Sequence, residues 1–230
     1  MEQLEKRYEN QGQARPCFLD QDDLVNLARI IQETFTRPEI ERYFRVSTTL
    51  NSTRVFYNTM ADFLVQEDLP DRVHDLTFWI EGWGQKTRFD KTILLDFSRY
   101  SVQLKVEGTD PVWVFDKYNR IMKFLRDKSA WYWPVITFEK AIIFSITILL
   151  ISSMILSFEL REPVSFVGKL GVLVIWAVSV FYDTRKIWPY AILRLKGTEP
   201  VLSKETFSIG ALLMIFVFIL AAGFAMPFFR

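Results

Sequence analysis

The chain has 230 residues, a formal net charge of +1, one cysteine and one histidine. A lone cysteine excludes an intrachain disulfide and a cysteine-rich metal site; with a lone histidine it argues against a zinc centre, a Cys–His nucleophile and a histidine proton relay. The near-neutral total conceals a division: residues 1–140 carry 22 acids and 20 bases, whereas residues 141–230 carry 5 acids and 8 bases. The charge-rich part is long enough for a folding domain, and the charge-poor part for roughly two to four membrane crossings.

Residues 1–16 are polar and lack both apolar periodicity and an apolar leader segment. They predict a lead-in, as a mobile arm or short surface helix, with no cleavable signal and a cytoplasmic domain behind it. Order begins near Phe18. Asp20 is placed to cap a helix reaching about Phe35, with Leu24, Leu27, Ala28 and Ile31 on one face and Arg37–Pro38 as its stop. From Glu41 the period changes to two, which predicts a strand with Phe44, Val46, Thr48 and Leu50 on one side. Ser52 is a candidate cap for a second helix over 53–65. Strands are expected at 73–80, 92–97 and 100–106, the first two joined by a Gly82–Trp83–Gly84 loop. Asp110 and Pro111 then begin a helix to about Lys128. Residues 17–130 therefore predict an α+β domain with an antiparallel sheet.

Residues 131–230 predict an all-α transmembrane module of three helices. The stretch 141–158 holds 18 residues without a charge, about 27 Å as a helix, close to the hydrocarbon thickness of a bilayer. Trp131, Tyr132 and Trp133 precede it as an aromatic collar suited to the headgroup region. Further spans are expected at 166–182 and 207–229. Arg185, Lys186, Arg194, Lys196 and Lys204 make the linker 183–206 basic, so it reads as cytoplasmic, with the amino terminus inside and the carboxyl terminus outside. Within this linker, Ile187–Lys196 fits either a short interfacial helix or a loop packed on the soluble domain.

No nucleotide loop, dinucleotide glycine fingerprint or hydrolase motif occurs. Glu81, Asp90 and Asp96 are the one carboxylate group near a hairpin, against the commoner alternative of solvated surface acids, so the expectation is a protein that is not an enzyme and needs no cofactor. His74 and Cys17 read as structural. A basic and aromatic set stands out instead: Arg42, Arg45, Arg54, Lys86, Arg88 and Lys91 with Tyr43, Tyr57, Trp79 and Trp83. Guanidinium groups fit phosphates and aromatic faces accept bases, so the set suits a nucleotide or short oligonucleotide, although nearby acids offer ordinary ion pairs. In the first span, Ser145, Ser152, Ser153 and Ser157 form a hydroxyl stripe that either packs helices or lines a pore.

The order of parts, from the basic and aromatic stretch 42–91 through the helix 111–128 to the serine-bearing span 141–158, resembles bacterial anti-phage membrane effectors, and among them the Hailong-type effector channel. That resemblance implies an oligomeric channel in the bacterial inner membrane, gated by a nucleotide or oligonucleotide from a partner nucleotidyltransferase. Three spans cannot enclose a water path alone, so a pore implies a homo-oligomer surrounded by membrane lipids. The alternative is a non-conducting, membrane-anchored interaction or scaffold protein.

Overall fold

The computed structural model describes residues 6–66, 68–83, 89–159 and 189–195. The chain divides into two compact units. The first comprises residues 1–136 together with Trp188–Gly197, and the second the intervening and following residues.

The first unit is an α+β domain built on a six-stranded, wholly antiparallel sheet in the order β1-β8-β7-β6-β3-β4. Its strands are β1 (Tyr8–Gln13), β3 (Arg45–Leu50), β4 (Thr53–Tyr57), β6 (Leu76–Trp83), β7 (Phe89–Phe97) and β8 (Val102–Gly108). A second sheet holds β2 (Cys17–Leu19), β9 (Ala191–Arg194) and β5 (Arg72–Val73), with β9 in the middle, parallel to β2 and antiparallel to β5.

The helix α1 (Gln21–Gln32) forms where the spacing of Leu24, Leu27, Ala28 and Ile31 predicts it, and all four are buried. Asp20 accepts from the Asp23 N–H at 2.8 Å, and the Asp23 carboxylate accepts in return from the Asp20 N–H at 3.4 Å. The helix α4 (Pro111–Asp127) begins as expected at Asp110, whose carboxylate accepts from the Val112 N–H. Both pack on one face of the large sheet. There Phe78, Ile80, Ile93, Leu95, Phe97, Leu104 and Val106 meet the helices and form the core. Burial alternates strictly along β6 and β8, as a period-two strand with one wet face requires.

Three expectations are corrected and one open alternative is decided. The polar lead-in contains β1, an edge strand on β8, because backbone pairing needs no apolar side chain; Gly12 lets it lie close to the Tyr118 hydroxyl of α4. Residues 41–43, expected to begin a strand, instead complete α2 (Arg37–Tyr43), which starts at the Arg37–Pro38 expected only as a stop. Pro38 stands in its first turn, and the Glu39 carboxylate accepts from the Thr36 N–H and hydroxyl. The expected helix over 53–65 is two elements, β4 and the short α3 (Met60–Leu64). Asn51 and Ser52, at φ 49° and 66°, form a two-residue turn that brings β4 back along β3, with Leu50 opposite Thr53. Finally, of the two readings left open for 187–196, the packed alternative is found, as the strand β9: Ala191 and Leu193 are completely buried.

Helix α5 (Trp133–Glu159) is continuous for 27 residues and contains the whole uncharged stretch 141–158. Among the described residues no helix is long and apolar enough to cross a membrane. Within α5, the side chains of residues 135, 139, 140, 142, 154 and 156–159 lie outside the described residues. The expected spans 166–182 and 207–229 lie wholly outside them.

Candidate ligand platform on the open sheet face

With the helices on one side, the alternate residues of each strand form an open face. Cross-strand register sets two rows on it. One runs Gln11, Lys105, Leu94, Trp79, Arg45; the other runs Gln13, Gln103, Asp96, Thr77, Ser47, Phe56. Trp79 is 41% exposed and Phe56 63% exposed, although both lie within regular strands. Directly opposed residues on one face lie about 5 Å apart, so Arg45 stands beside Trp79 and Arg54 beside Thr49.

Arg54 is held in place. Its Nε and Nη2 donate to Ser47 Oγ at 3.2 and 3.1 Å, and Nη2 also donates to Thr77 Oγ1 at 3.1 Å. Thr77 in turn donates to Asp96 Oδ1 at 2.7 Å, so the network crosses β4, β3, β6 and β7. The guanidinium lies 5.6 Å from the Phe56 ring centre. A planar fork fixed along one edge and resting near an aromatic ring is pre-organised for an anion beside a stacked base. Arg45 donates from Nη1 to its neighbour's carbonyl, Phe44 O, at 2.7 Å.

Charge divides this face. On the β1–β8 side Lys105 lies 3.2 Å from Glu9 and 3.4 Å from Glu107, and Arg7 lies 3.6 Å from Glu107. The hydrogen bond to Glu9 raises the Lys105 pKa, with burial opposing it and both acids adding to the rise. That side is balanced, while the β3–β4–β6 side carries the arginines and aromatics.

The expected site residues thus separate. Arg45 and Arg54 come together with Trp79 on the open face. Arg42, in the last turn of α2, forms another group at the end of β6: its guanidinium is 5.9 Å from the Tyr43 ring, and Tyr43 is 6.1 Å from Trp83. The Trp83 N–H donates to Glu39 Oε1 at 3.1 Å. Burial pushes the Glu39 pKa up, but hydrogen bonds from Thr36, the Lys91 charge and the Trp83 bond outweigh it and leave Glu39 below its ordinary value. Lys86 and Arg88 lie outside the described residues. Tyr57 faces the core, 5.4 Å from Phe63. Phe56, Ser47 and Thr77 were not among the expected site residues; the Asn51–Ser52 turn and the β-prone run Thr53–Tyr57 were the available signals.

The carboxylates do not form a compact group. Glu81 stands opposite Thr92, and Asp96 lies four residues further along β7, about 13 Å away. Asp90 accepts from the Thr109 hydroxyl at 2.9 Å. Among the described residues no three His, Cys, Asp or Glu side chains are placed to hold a metal ion. His74 Nδ1 lies 3.0 Å from Ala191 O on β9, and Cys17 is buried, which pushes its thiol up to about 12. Both positions fit the structural roles expected of them.

On α5, Ser145 and Ser152 are exposed and Ser153 is buried, so the three described serines do not share one environment. The Ser157 side chain lies outside the described residues. Thr147 donates to Ile143 O within the helix. Phe144, Ile148, Leu149, Ile151 and Ile155 are exposed.

Comparison of the chain with protein-family models, curated proteins and solved structures finds no match. The functional reading therefore rests on the geometry above and on the order of parts along the chain.

Proposed function

We propose that the protein is a membrane effector whose α+β unit binds an anionic, base-bearing ligand of the nucleotide class on its open sheet face. The observation that carries this reading is the grouping of Arg45, Arg54, Trp79 and Phe56 on one exposed surface, with Arg54 fixed by Ser47 and Thr77. Stacking supplies sequence-tolerant affinity, and the guanidinium groups supply phosphate recognition.

Two observations support the membrane part. Six large apolar side chains of α5 are exposed, Phe138 joining the five named above, and contiguous exposed apolar surface marks a lipid or protein interface. The chain also leaves the first unit at Ile136 and re-enters it at Trp188. If 141–158 crosses a bilayer, the chain must cross back before β9, and 166–182 is the segment suited to do so. This argument is independent of the positive charge in the 183–206 linker. A third crossing at 207–229 then puts the carboxyl terminus on the far side. By the resemblance noted above, the assembly is a homo-oligomeric channel in a bacterial inner membrane, acting in anti-phage defence with a partner nucleotidyltransferase.

The test is titration of the full-length protein in detergent with mononucleotides, cyclic dinucleotides and short oligonucleotides, followed by flux from liposomes. Trp79→Ala is expected to weaken binding about tenfold to a hundredfold, since each stacked base is worth about 1–3 kcal/mol. Arg54→Gln should weaken it comparably. Absence of binding to any of these compounds, or affinities indifferent to both substitutions, would remove the reading. The second reading, a membrane-anchored interaction protein, is favoured by the same exposed Phe56 and Trp79. It gains if function survives replacement of residues 137–187 and 198–230 by unrelated spans that preserve β9.

A further inference from the structure

Four segments distant in sequence are stitched together where α5 leaves the first unit. Ala14 donates to Val102 O, Ala130 to Pro16 O, Cys17 to Tyr190 O, and Tyr190 to Arg99 O. Two hydroxyls complete the seam: Tyr190 donates to Ala14 O at 2.9 Å and the buried Tyr132 to Pro189 O at 2.8 Å. Residues 14–17, 98–102, 129–133 and 189–190 contain two arginines and five aromatic residues but no aspartate or glutamate. In a chain of 27 acids, an acid-free seam with this content is a distinct surface.

Its side chains have the two properties that a lipid headgroup layer selects. Trp131 is 62% and Tyr100 60% exposed, and rings with an apolar body and a polar edge partition to that layer. Arg15 is exposed, with its guanidinium 4.3 Å from the Trp133 ring centre, while Arg99 is half-buried at the base of the 98–101 turn. We infer that this end of the unit is a headgroup-binding face, on which Arg15 and Arg99 engage the phosphates of anionic phospholipids while Tyr100, Trp131 and Trp133 sit among the headgroups. The inference rests on the membrane reading of α5 and extends it to the folded unit, which would be seated on the bilayer rather than held off it by a tether. Of these five, Trp131 and Trp133 belong to the collar visible beside the span, whose third member, Tyr132, is instead buried in the fold; Arg15, Arg99 and Tyr100 join it through the fold.

The experiment uses the full-length protein in vesicles of phosphatidylcholine and phosphatidylglycerol. Nitroxide labels are placed through Tyr100→Cys, Trp131→Cys, Ser145→Cys and Thr49→Cys; buried Cys17 will not compete for label. Relative accessibility to oxygen and to a water-soluble nickel chelate reports depth. The expected result is Ser145→Cys in hydrocarbon, Tyr100→Cys and Trp131→Cys at headgroup depth, and Thr49→Cys in water. If position 145 is in hydrocarbon but positions 100 and 131 match position 49, the headgroup face is wrong and the membrane reading stands. If position 145 is in water, both fall. In a second measurement, phosphatidylglycerol should raise the melting temperature relative to phosphatidylcholine alone. The rise should vanish in Arg15→Gln/Arg99→Gln and persist in Arg15→Lys/Arg99→Lys; an equal rise in the glutamine pair would overturn the role of the arginines.

Discussion

Lys117 shows how a charge is accommodated in this core. It is almost fully buried in α4, and its ammonium donates to Ile30 O at 2.6 Å, near the carboxyl end of α1. Lys91 donates to Thr34 O at 2.7 Å just beyond that end, and the Trp113 indole donates to the Thr34 hydroxyl. Cations and donors here complement the carbonyls and the negative pole that a helix presents at its carboxyl terminus. Burial lowers the Lys117 pKa from its ordinary 10.5 to about 8, with the charges of Arg120 and Lys91 adding to the fall and those of Glu33 and Asp116 opposing it. Between those two values the unfolded chain holds more protons than the native one, so stability from this group rises with pH from about 8 upward. Below pH 8 both states are protonated and the cost of burying the charge is fully present. Because the buried Cys17 thiol, pushed up to about 12, works in the opposite direction above pH 9, the test is the difference between urea midpoints of the wild type and Lys117→Met, which should shift in favour of the wild type from pH 8 toward 10.

Among elements, the β3–β4 hairpin decides where the platform arginines lie. Val55, Phe56, Met60, Phe63 and Leu64 satisfy a helical spacing, and the run was expected to be a helix for that reason. Pairing with β3 prevails because Tyr57 then reaches the core beside Phe63, while Arg54 reaches the Ser47 and Thr77 hydroxyls on the other face. The turn is strained at one point: Ser52 sits at φ 66°, a region that costs an L-residue roughly 1–2 kcal/mol and glycine little. Ser52→Gly, which makes the preferred Asn–Gly turn, should therefore stabilise the unit by about 0.5–1 kcal/mol. Chemical denaturation read by circular dichroism checks this, and ligand affinity should be unchanged because the turn lies outside the platform.

For the whole molecule, the decisive fact is that the first unit is not contiguous in sequence. β9 enters from beyond residue 187 and lies between β2 and β5, with Ala191, Ile192, Leu193 and Leu195 all buried. Ile192, Leu193 and Leu195 each contribute roughly 1.5–3 kcal/mol when buried, so losing this segment removes an amount comparable to the stability of an ordinary domain. A fragment of residues 1–136 should accordingly be unfolded or aggregated. The same fragment with residues 188–197 joined by a flexible linker should give a cooperative thermal transition. A fragment 1–136 that melts cooperatively on its own would show β9 to be dispensable.

By itself the sequence determined the features that depend on neighbours along the chain. These are the capped helices α1 and α4, the alternating strands β6 to β8, the unbroken helical character of 141–158, and the choice of arginine and aromatic residues as binding candidates. Their signals are periodicity, caps and composition, all of which act over a few residues. The tertiary structure alone decided which of those candidates meet. Arg45 and Arg54 share a face with Trp79 only because β3 is inserted between β4 and β6, and Arg42 is left apart because α2 ends before β3 begins. It alone also showed that a polar lead-in becomes an edge strand and that a linker becomes the central strand of a sheet. Strand pairing joins residues 8–13 to 103–108 and residues 17–19 to 191–193. Contacts of that separation depend on what the partner strand offers, and no local pattern encodes it.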